Sequence, residues 1–335
     1  MLSETKKRQI VQSAICFALA GILCALSLIF AVPALTAEST DSPSRAGIVR
    51  LWNIDTFEGG KGSRTAFLNR VSAAYEKKHE GVYIMVSSYT AEGAAAALKE
   101  GNFPDMISFG IGFSEAAEKC RKINSRSFAG GLVGKECRAV PWCRGGYALF
   151  SLENNFDAAD AANTVVSSGG NNLPLVAAAL YPFEGIPVVE DSTSAYVRFL
   201  SGKYKYLLGT QRDICRFASR GVNVYCRPVN EFSDLYQYIG VLTDDEALKG
   251  ICEDYIDALL SGETQKKLTE IGMLSPYFDI YSADNSAADE MEKAGIRYTL
   301  NVFTSDSGMT DVETAARETL TGGNAEVLKN FLKAI

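Results

Sequence analysis

Apolar positions change spacing repeatedly along this chain, and the changes mark its elements. A short apolar run at Ile48–Ile54 breaks into the Gly-rich stretch from Asp55 to Arg64. Beyond it Phe67, Val71 and Tyr75 recur at helical spacing, so the pattern predicts a strand, a loop and a helix over 64–79. Val82–Tyr89 reads as a second strand and 91–100 as a short Ala-rich helix. A third strand, Met106–Phe109, starts from Pro104-Asp105 and ends in Gly110-Ile-Gly112. This βαβαβ order predicts a parallel sheet. Ligands of open α/β sheets bind beyond the carboxyl ends of the strands, which points to the 55–64 loop.

The middle of the chain differs in character. Ala139–Phe150 is an aromatic strand interrupted by Gly145-Gly146, while 157–174, rich in Ala, Asn, Gly and Ser, carries no assignable period. Tyr196–Ser201 reads as the end of a helix, Tyr204–Gly209 as a strand, Gln211–Ala218 as a helix and Val222–Pro228 as a strand. From Ser233 the reading is helical. Leu235, Ile239 and Leu242 form one stripe, Ala247, Ile251, Tyr255, Ala258 and Leu259 a second, and Gln265–Glu270 a third. Thr243-Asp-Asp-Glu246 fits a capping box. Helices around 285–294, 311–320 and 324–333, with a strand at Tyr298–Phe303, close the chain. There is no internal repeat.

The first 37 residues change the picture. Lys6, Lys7 and Arg8 precede an uncharged apolar run, Ala14 to Ala31, that ends before Pro33. Such a run is a cleaved signal or an uncleaved membrane anchor, and about 18 to 22 residues just span a bilayer core of roughly 30 Å. In either case the remainder is exported, to the outer face of the cell membrane or beyond it. Neither Cys16 (after Ile15) nor Cys24 (after Leu23) follows the small residue that lipoprotein processing needs. Residues 38–46 are polar and aperiodic, a linker.

Charge and rare residues exclude several functions. The chain has 33 basic and 40 acidic side chains, and removing Lys6, Lys7, Arg8 and Glu4 leaves 30 and 39. An acidic body without a basic stripe argues against nucleic acid. The single histidine, His79, sits beside Lys77 and Lys78 on a polar helix end, which disfavours His-based metal sites and Ser-His-Asp or Cys-His catalysis. No metal or other cofactor is expected. Six cysteines follow the apolar run: Cys120, Cys137, Cys143, Cys215, Cys226 and Cys252. Cys215 with Cys226 and Cys137 with Cys143 are the first disulfides to test, and free thiols are the alternative.

Six segments in order resemble the extracellular solute-binding proteins of ABC importers, in the group that mostly carries oligosaccharides. They are Val49–Trp52, Val82–Val86, Pro104-Asp105, Val140–Tyr147, Phe199–Asp213 and Phe232–Tyr236, and the resemblance covers about residues 48–280. It implies an α/β, two-lobe, periplasmic-binding-protein-like fold of type II, with lobe one at 47–150 and 229–335 and lobe two at 151–228. It further implies a non-enzymatic, monomeric protein that captures a small polar ligand, most simply a carbohydrate, and passes it to ABC permease subunits. An uncleaved N-terminal segment would tether it to the membrane beside them. The second lobe is short for the family, which raises an alternative: a ligand-free or degenerate lobe pair acting as a surface interaction or sensor module.

The candidate ligand residues come from the cleft this resemblance implies. Trp52 near the end of the first strand, Trp142 on the crossover, Tyr147 and Tyr89 offer rings for stacking on a sugar face, against core packing as the competing reading. Asp55, Phe57 and Glu58 line the Gly-rich loop, which is equally readable as a tight turn capped by Ser63. The loop lacks the P-loop spacing, and two carboxylates on one loop make a poor glycosidase pair. Gly110 ends the third strand. Gln211 and Arg212 open a helix in lobe two, with Thr210 as its N-cap, and contact either the ligand or the opposite lobe.

Overall fold

The computed structural model describes residues 19–21 and 46–335, apart from 117, 118, 125, 157, 158, 184, 284 and 285. Residues 1–44 and 45–335 form separate units. Apart from the helical residues 19–21, the apolar N-terminal run and the linker up to residue 45 lie outside the described residues. No helix among the described residues is long and apolar enough to cross a membrane.

The second unit is a two-lobe α/β fold built on two five-stranded sheets. The first contains β1 (Gly47–Ile54), β2 (Val82–Tyr89), β3 (Met106–Phe109), β6 (Val140–Arg144) and β13 (Tyr236–Val241), in the order β2-β1-β3-β13-β6. Short strands β4 (Leu132–Val133) and β5 (Glu136–Cys137) form a separate hairpin. β1 runs parallel to both β2 and β3, as the βαβαβ pattern predicts. The second sheet contains β7 (Tyr147–Ser151), β8 (Thr164–Ser168), β9 (Val188–Asp191), β10 (Tyr206–Thr210) and β11 (Tyr225–Pro228), in the order β11-β7-β10-β8-β9. The chain leaves the first sheet at Gly145-Gly146 and returns through Val229–Leu235. A hydrogen bond from Gly145 N to Leu235 O, 2.6 Å, ties the two passages together.

Helices cover both sheets. α1 (Arg64–Glu76), begun by Ser63 accepting from Ala66 N, buries Phe67, Val71 and Tyr75 beside Ile251, Tyr255 and Leu259 of α6 (Glu246–Leu259). α2 (Ala91–Lys99) buries Ala94 and Leu98 on the opposite face. In lobe two, α4 (Ser192–Leu200) and α5 (Gln211–Ser219) enclose an aromatic cluster in which Phe217 lies 5.1 Å from Tyr196 and 5.3 Å from Phe150. The other face takes α3 (Pro174–Ala179), whose Leu175, Val176 and Ala178 share a core with Val312, Ala315 and Leu320 of α9 (Asp306–Leu320). α8 (Ser286–Glu292) packs on β11 and α5. Two helices from the C-terminal region, α8 and α9, thus pack beside the elements of the second sheet. α7 (Gly262–Lys266), α10 (Ala325–Phe331) and the small sheet of β12 (Glu231–Phe232), β14 (Ile296–Thr299) and β15 (Lys333–Ala334) complete the unit.

Two local expectations are corrected. Leu235, Ile239 and Leu242 are not a helix stripe: Tyr236–Val241 is β13, antiparallel to β3 and β6 and buried along its whole length. A strand covered on both faces shows a continuous apolar-aromatic run with no alternation, so its spacing mimics a helix. The α6 N-cap is Asp245, which accepts from Ala247 N and Leu248 N, so the Thr243–Glu246 box does not form. The six cysteines among the described residues are free thiols, and burial pushes Cys120 and Cys252 up to about 12.

Candidate functional site

The loops that follow the parallel strands of both lobes meet at one seam. From lobe one come residues 55–58 after β1 and 110–112 after β3; from lobe two come 169–171 after β8, Ser192 after β9 and Gln211-Arg212 after β10. Phe57 forms an antiparallel bridge with Gly170, Asn171 N donates to Thr56 O at 2.7 Å, and Asn171 Nδ2 donates to Ile111 O at 3.4 Å. Gln211 Nε2 donates to Glu58 O at 3.1 Å, and Ser192 Oγ donates to Glu58 Oε1 at 2.9 Å. Arg212 completes the contact with an ion pair to the same carboxylate. The Glu58 and Arg212 side chains are 28% and 32% exposed, so solvent screening keeps this pair a modest contributor.

Arg64 sets the shape of the lobe-one wall. Its buried guanidinium holds Asp55 Oδ1 at 2.8 Å from Nε, donates from Nη1 to Gln237 Oε1 at 3.1 Å and from Nη2 to Phe57 O, and lies 4.3 Å from the Phe57 ring centroid. One planar fork thus fixes both ends of the 55–57 turn. Further along the loop, Lys61 N donates to Ile271 O at 3.0 Å. Gly60 must lack a side chain because a Cβ would lie 2.5 Å from the Gly272 carbonyl carbon.

Behind this wall lies a buried polar network. Ser108 Oγ donates to Asn53 Oδ1 at 2.9 Å, Trp142 Nε1 donates to Ser108 Oγ at 3.0 Å, and Gln237 Nε2 donates to Ile54 O at 3.0 Å. Asn53, Ser108 and Gln237 are fully buried. At the crossover Tyr147 OH and Leu173 N both donate to Asp234, each at 2.7 Å. Burial pushes the Asp234 carboxyl up to about 6 against those two hydrogen bonds, and also pushes Tyr147 well above its usual value. Asp213, inside the Thr210 capping box of α5, is likewise pushed up to about 6 by burial.

The structure brings Phe57, Glu58, Gln211 and Arg212 together at the seam. Gly110 lies beside them, where a Cβ would meet Thr56 and Phe57, and Asp55 stays exposed next to Arg64. The four aromatic candidates are placed in packing. Trp52 and Tyr89 lie ring to ring at 4.3 Å beside α2. Trp142 stacks on Phe67 at 5.6 Å, and Tyr147 on Phe232 at 6.4 Å. Gly169, Gly170, Asn171 and Ser192 are not marked by the sequence pattern because their stretches lack a period. The Gly-Gly-Asn-Asn run at 169–172 is the available loop signal.

A groove of about 450 Å³ lies elsewhere, between α1 and the α6–α7 region, lined by Phe67, Tyr75 and His79 among others. It faces helix sides rather than strand ends, and its rim charges pair with each other, Arg70 with Glu270 and Lys267 with Glu263.

No family model matches the sequence, and no curated protein matches it either. Solved structures do. The maltose-maltodextrin-binding protein of Alicyclobacillus acidocaldarius superposes with a TM-score of 0.56 at 12% identity, over 85% of this chain and 98% of that one. The sugar-binding protein MalE of Xanthomonas citri gives 0.58 at 13%, over 85% and 95%. The galacto-N-biose/lacto-N-biose I-binding protein of the Bifidobacterium longum ABC transporter gives 0.55 at 11%, over 87% and 95%. The chain therefore has the two-lobe α/β fold of these sugar-binding proteins.

Proposed function

We propose that this protein is an exported solute-binding protein that captures a saccharide between its lobes for an ABC permease. One observation carries the reading. The carboxyl-end loops of β1 and β3 in one lobe face those of β8, β9 and β10 in the other, where open α/β sheets bind ligands. The saccharide-binding structures that share the fold support the ligand class. Asp55, Phe57, Glu58, Gly110, Gln211 and Arg212 are the proposed contacts. Trp52, Tyr89, Trp142 and Tyr147 hold the walls in place. Closure about the Gly145-Gly146 and Val229–Leu235 passages secures the ligand, and no chemical step is part of the reading.

The basic flank and apolar run at the N-terminus support export, as a signal that is cleaved or as an anchor that, left uncleaved, tethers the protein to the membrane beside its permease. We further propose that it works as a monomer, with lobe one carried by the sheet that contains β1 and lobe two by the sheet that contains β10.

A thermal-shift screen of residues 38–335 against mono- and oligosaccharides, amino acids, polyamines and simple anions tests the function. A ligand at 100 times its dissociation constant adds about 2.7 kcal/mol to the folded state. A saturable shift confined to saccharides is the expected result. A folded protein that responds to no saccharide overturns it.

A further inference from the structure

Lobe two holds the Glu58 carboxylate as it would hold a ligand's. Glu58 Oε1 accepts from Ser192 Oγ at 2.9 Å and is paired with Arg212. Gly169 leaves the room: a Cβ there would lie 2.6 Å from both Glu58 Cδ and Glu58 Oε2. Three lobe-two positions, one at the end of each of β8, β9 and β10, therefore converge on a single carboxylate that belongs to the other lobe. The helix ends nearby are already satisfied. Asp191 accepts from Thr193 N and Ser194 N, and Thr210 with Asp213 closes the α5 capping box. Arg216, the next basic group, is engaged by Ser192 O at 2.9 Å and Asp213 at 3.3 Å. The seat is thus made by the Arg212 guanidinium, the Ser192 hydroxyl and the space at Gly169, and parting the lobes empties it.

On the reading that this protein captures a saccharide, we infer that the saccharide carries a carboxylate. A uronate-type sugar places its acid group on Arg212, Ser192 and Gly169 and displaces Glu58 from that seat to the cleft wall, where it faces the rest of the sugar. Exchange of one carboxylate for another preserves the charge balance of the seat. A neutral sugar offers Arg212 only hydroxyls in place of a charge-assisted partner. Glu58 acts as an internal competitor, so the apparent affinity is reduced by the fraction of molecules in which it occupies the seat.

The test is calorimetric titration with oligogalacturonates and glucuronate-containing oligosaccharides, each beside its carboxyl-reduced neutral counterpart. Wild type, Glu58→Gln, Arg212→Ala and Arg212→Lys are compared, with circular dichroism confirming that each variant is folded. An acidic saccharide binds at least about ten-fold tighter than its reduced form. Glu58→Gln tightens it about three- to ten-fold by removing the competitor. Arg212→Ala weakens it at least about ten-fold, and Arg212→Lys, which keeps the charge but not the planar fork, falls between. Equal binding of reduced and acidic forms, or weaker binding in Glu58→Gln, overturns the inference and leaves saccharide capture standing. Binding of neither form overturns both.

Discussion

Replacing Arg64 by Met tests whether one buried guanidinium organises the lobe-one wall. The side chain is 2% exposed, and methionine fills most of its volume. Three acceptors lose a donor, of which Asp55 Oδ1 keeps Asn53 Nδ2 at 3.0 Å. Asp55 is 43% exposed and rehydrates at small cost. Gln237 Oε1 and Phe57 O are buried, and each orphaned acceptor costs about 1–3 kcal/mol. Against this, the variant no longer desolvates a charge, which returns part of the loss. The net expectation is a destabilisation of about 3 kcal/mol. For a unit of this size that lowers the melting temperature by roughly 6 °C, at about 2 °C per kcal/mol. Scanning calorimetry measures it, and limited trypsin digestion at the exposed Lys61 reports the loop directly. Arg64→Lys keeps the charge but cannot reach three acceptors in one plane, so it should lose nearly as much. A melting temperature within about 1 °C of wild type for either variant, with no faster cleavage at Lys61, would show that Arg64 does not organise this wall.

Two further perturbations probe the seam and the crossover. Gly170 has φ +73°, and a Cβ there would lie 2.9 Å from Phe57 Cα and closer still to Thr56 O. Gly170→Ala should therefore hold the lobes apart, visible as a larger radius of gyration in small-angle scattering; an unchanged radius would show that the seam tolerates the side chain. Asp234 keeps its proton in the folded state up to about pH 6, whereas the unfolded chain releases it near 3.9. Its contribution to stability accordingly falls as pH rises from about 4 to about 6, by roughly 2–3 kcal/mol. The stability difference between wild type and Asp234→Asn should move against wild type across that window in urea titrations, and a difference that stays flat from pH 4 to 7 would contradict the assignment.

The parts of the fold legible in the sequence are those where local signals agree. From Ile48 to Phe109, apolar runs, helical spacing and Gly punctuation coincide, and β1, β2 and β3 with their two helices form within a few residues of the predicted bounds. β13 reads as a helix in sequence because burial on both faces erases the alternation that marks a strand. The packing of α8 and α9 on lobe two depends on contacts across long stretches of chain, which no local pattern carries. At the site, polar and aromatic candidates differ in where the structure puts them. Glu58, Gln211 and Arg212 sit where strands give way to a loop or a helix, and the structure brings them together. A tryptophan in a wholly buried strand, such as Trp142, has the same sequence signature as one that lines a cleft. Arg64 and Gln237 give no warning either, since a buried polar network is defined by partners distant in sequence.

Hydrogen exchange with and without the saccharide selected by thermal shift reports whether both lobes hold the ligand at the seam. Protection on binding should concentrate in residues 55–58, 110–112, 169–171 and 210–212, in both lobes at once. Protection confined to one lobe, or centred on the groove between Phe67 and Tyr75, would contradict capture at the seam.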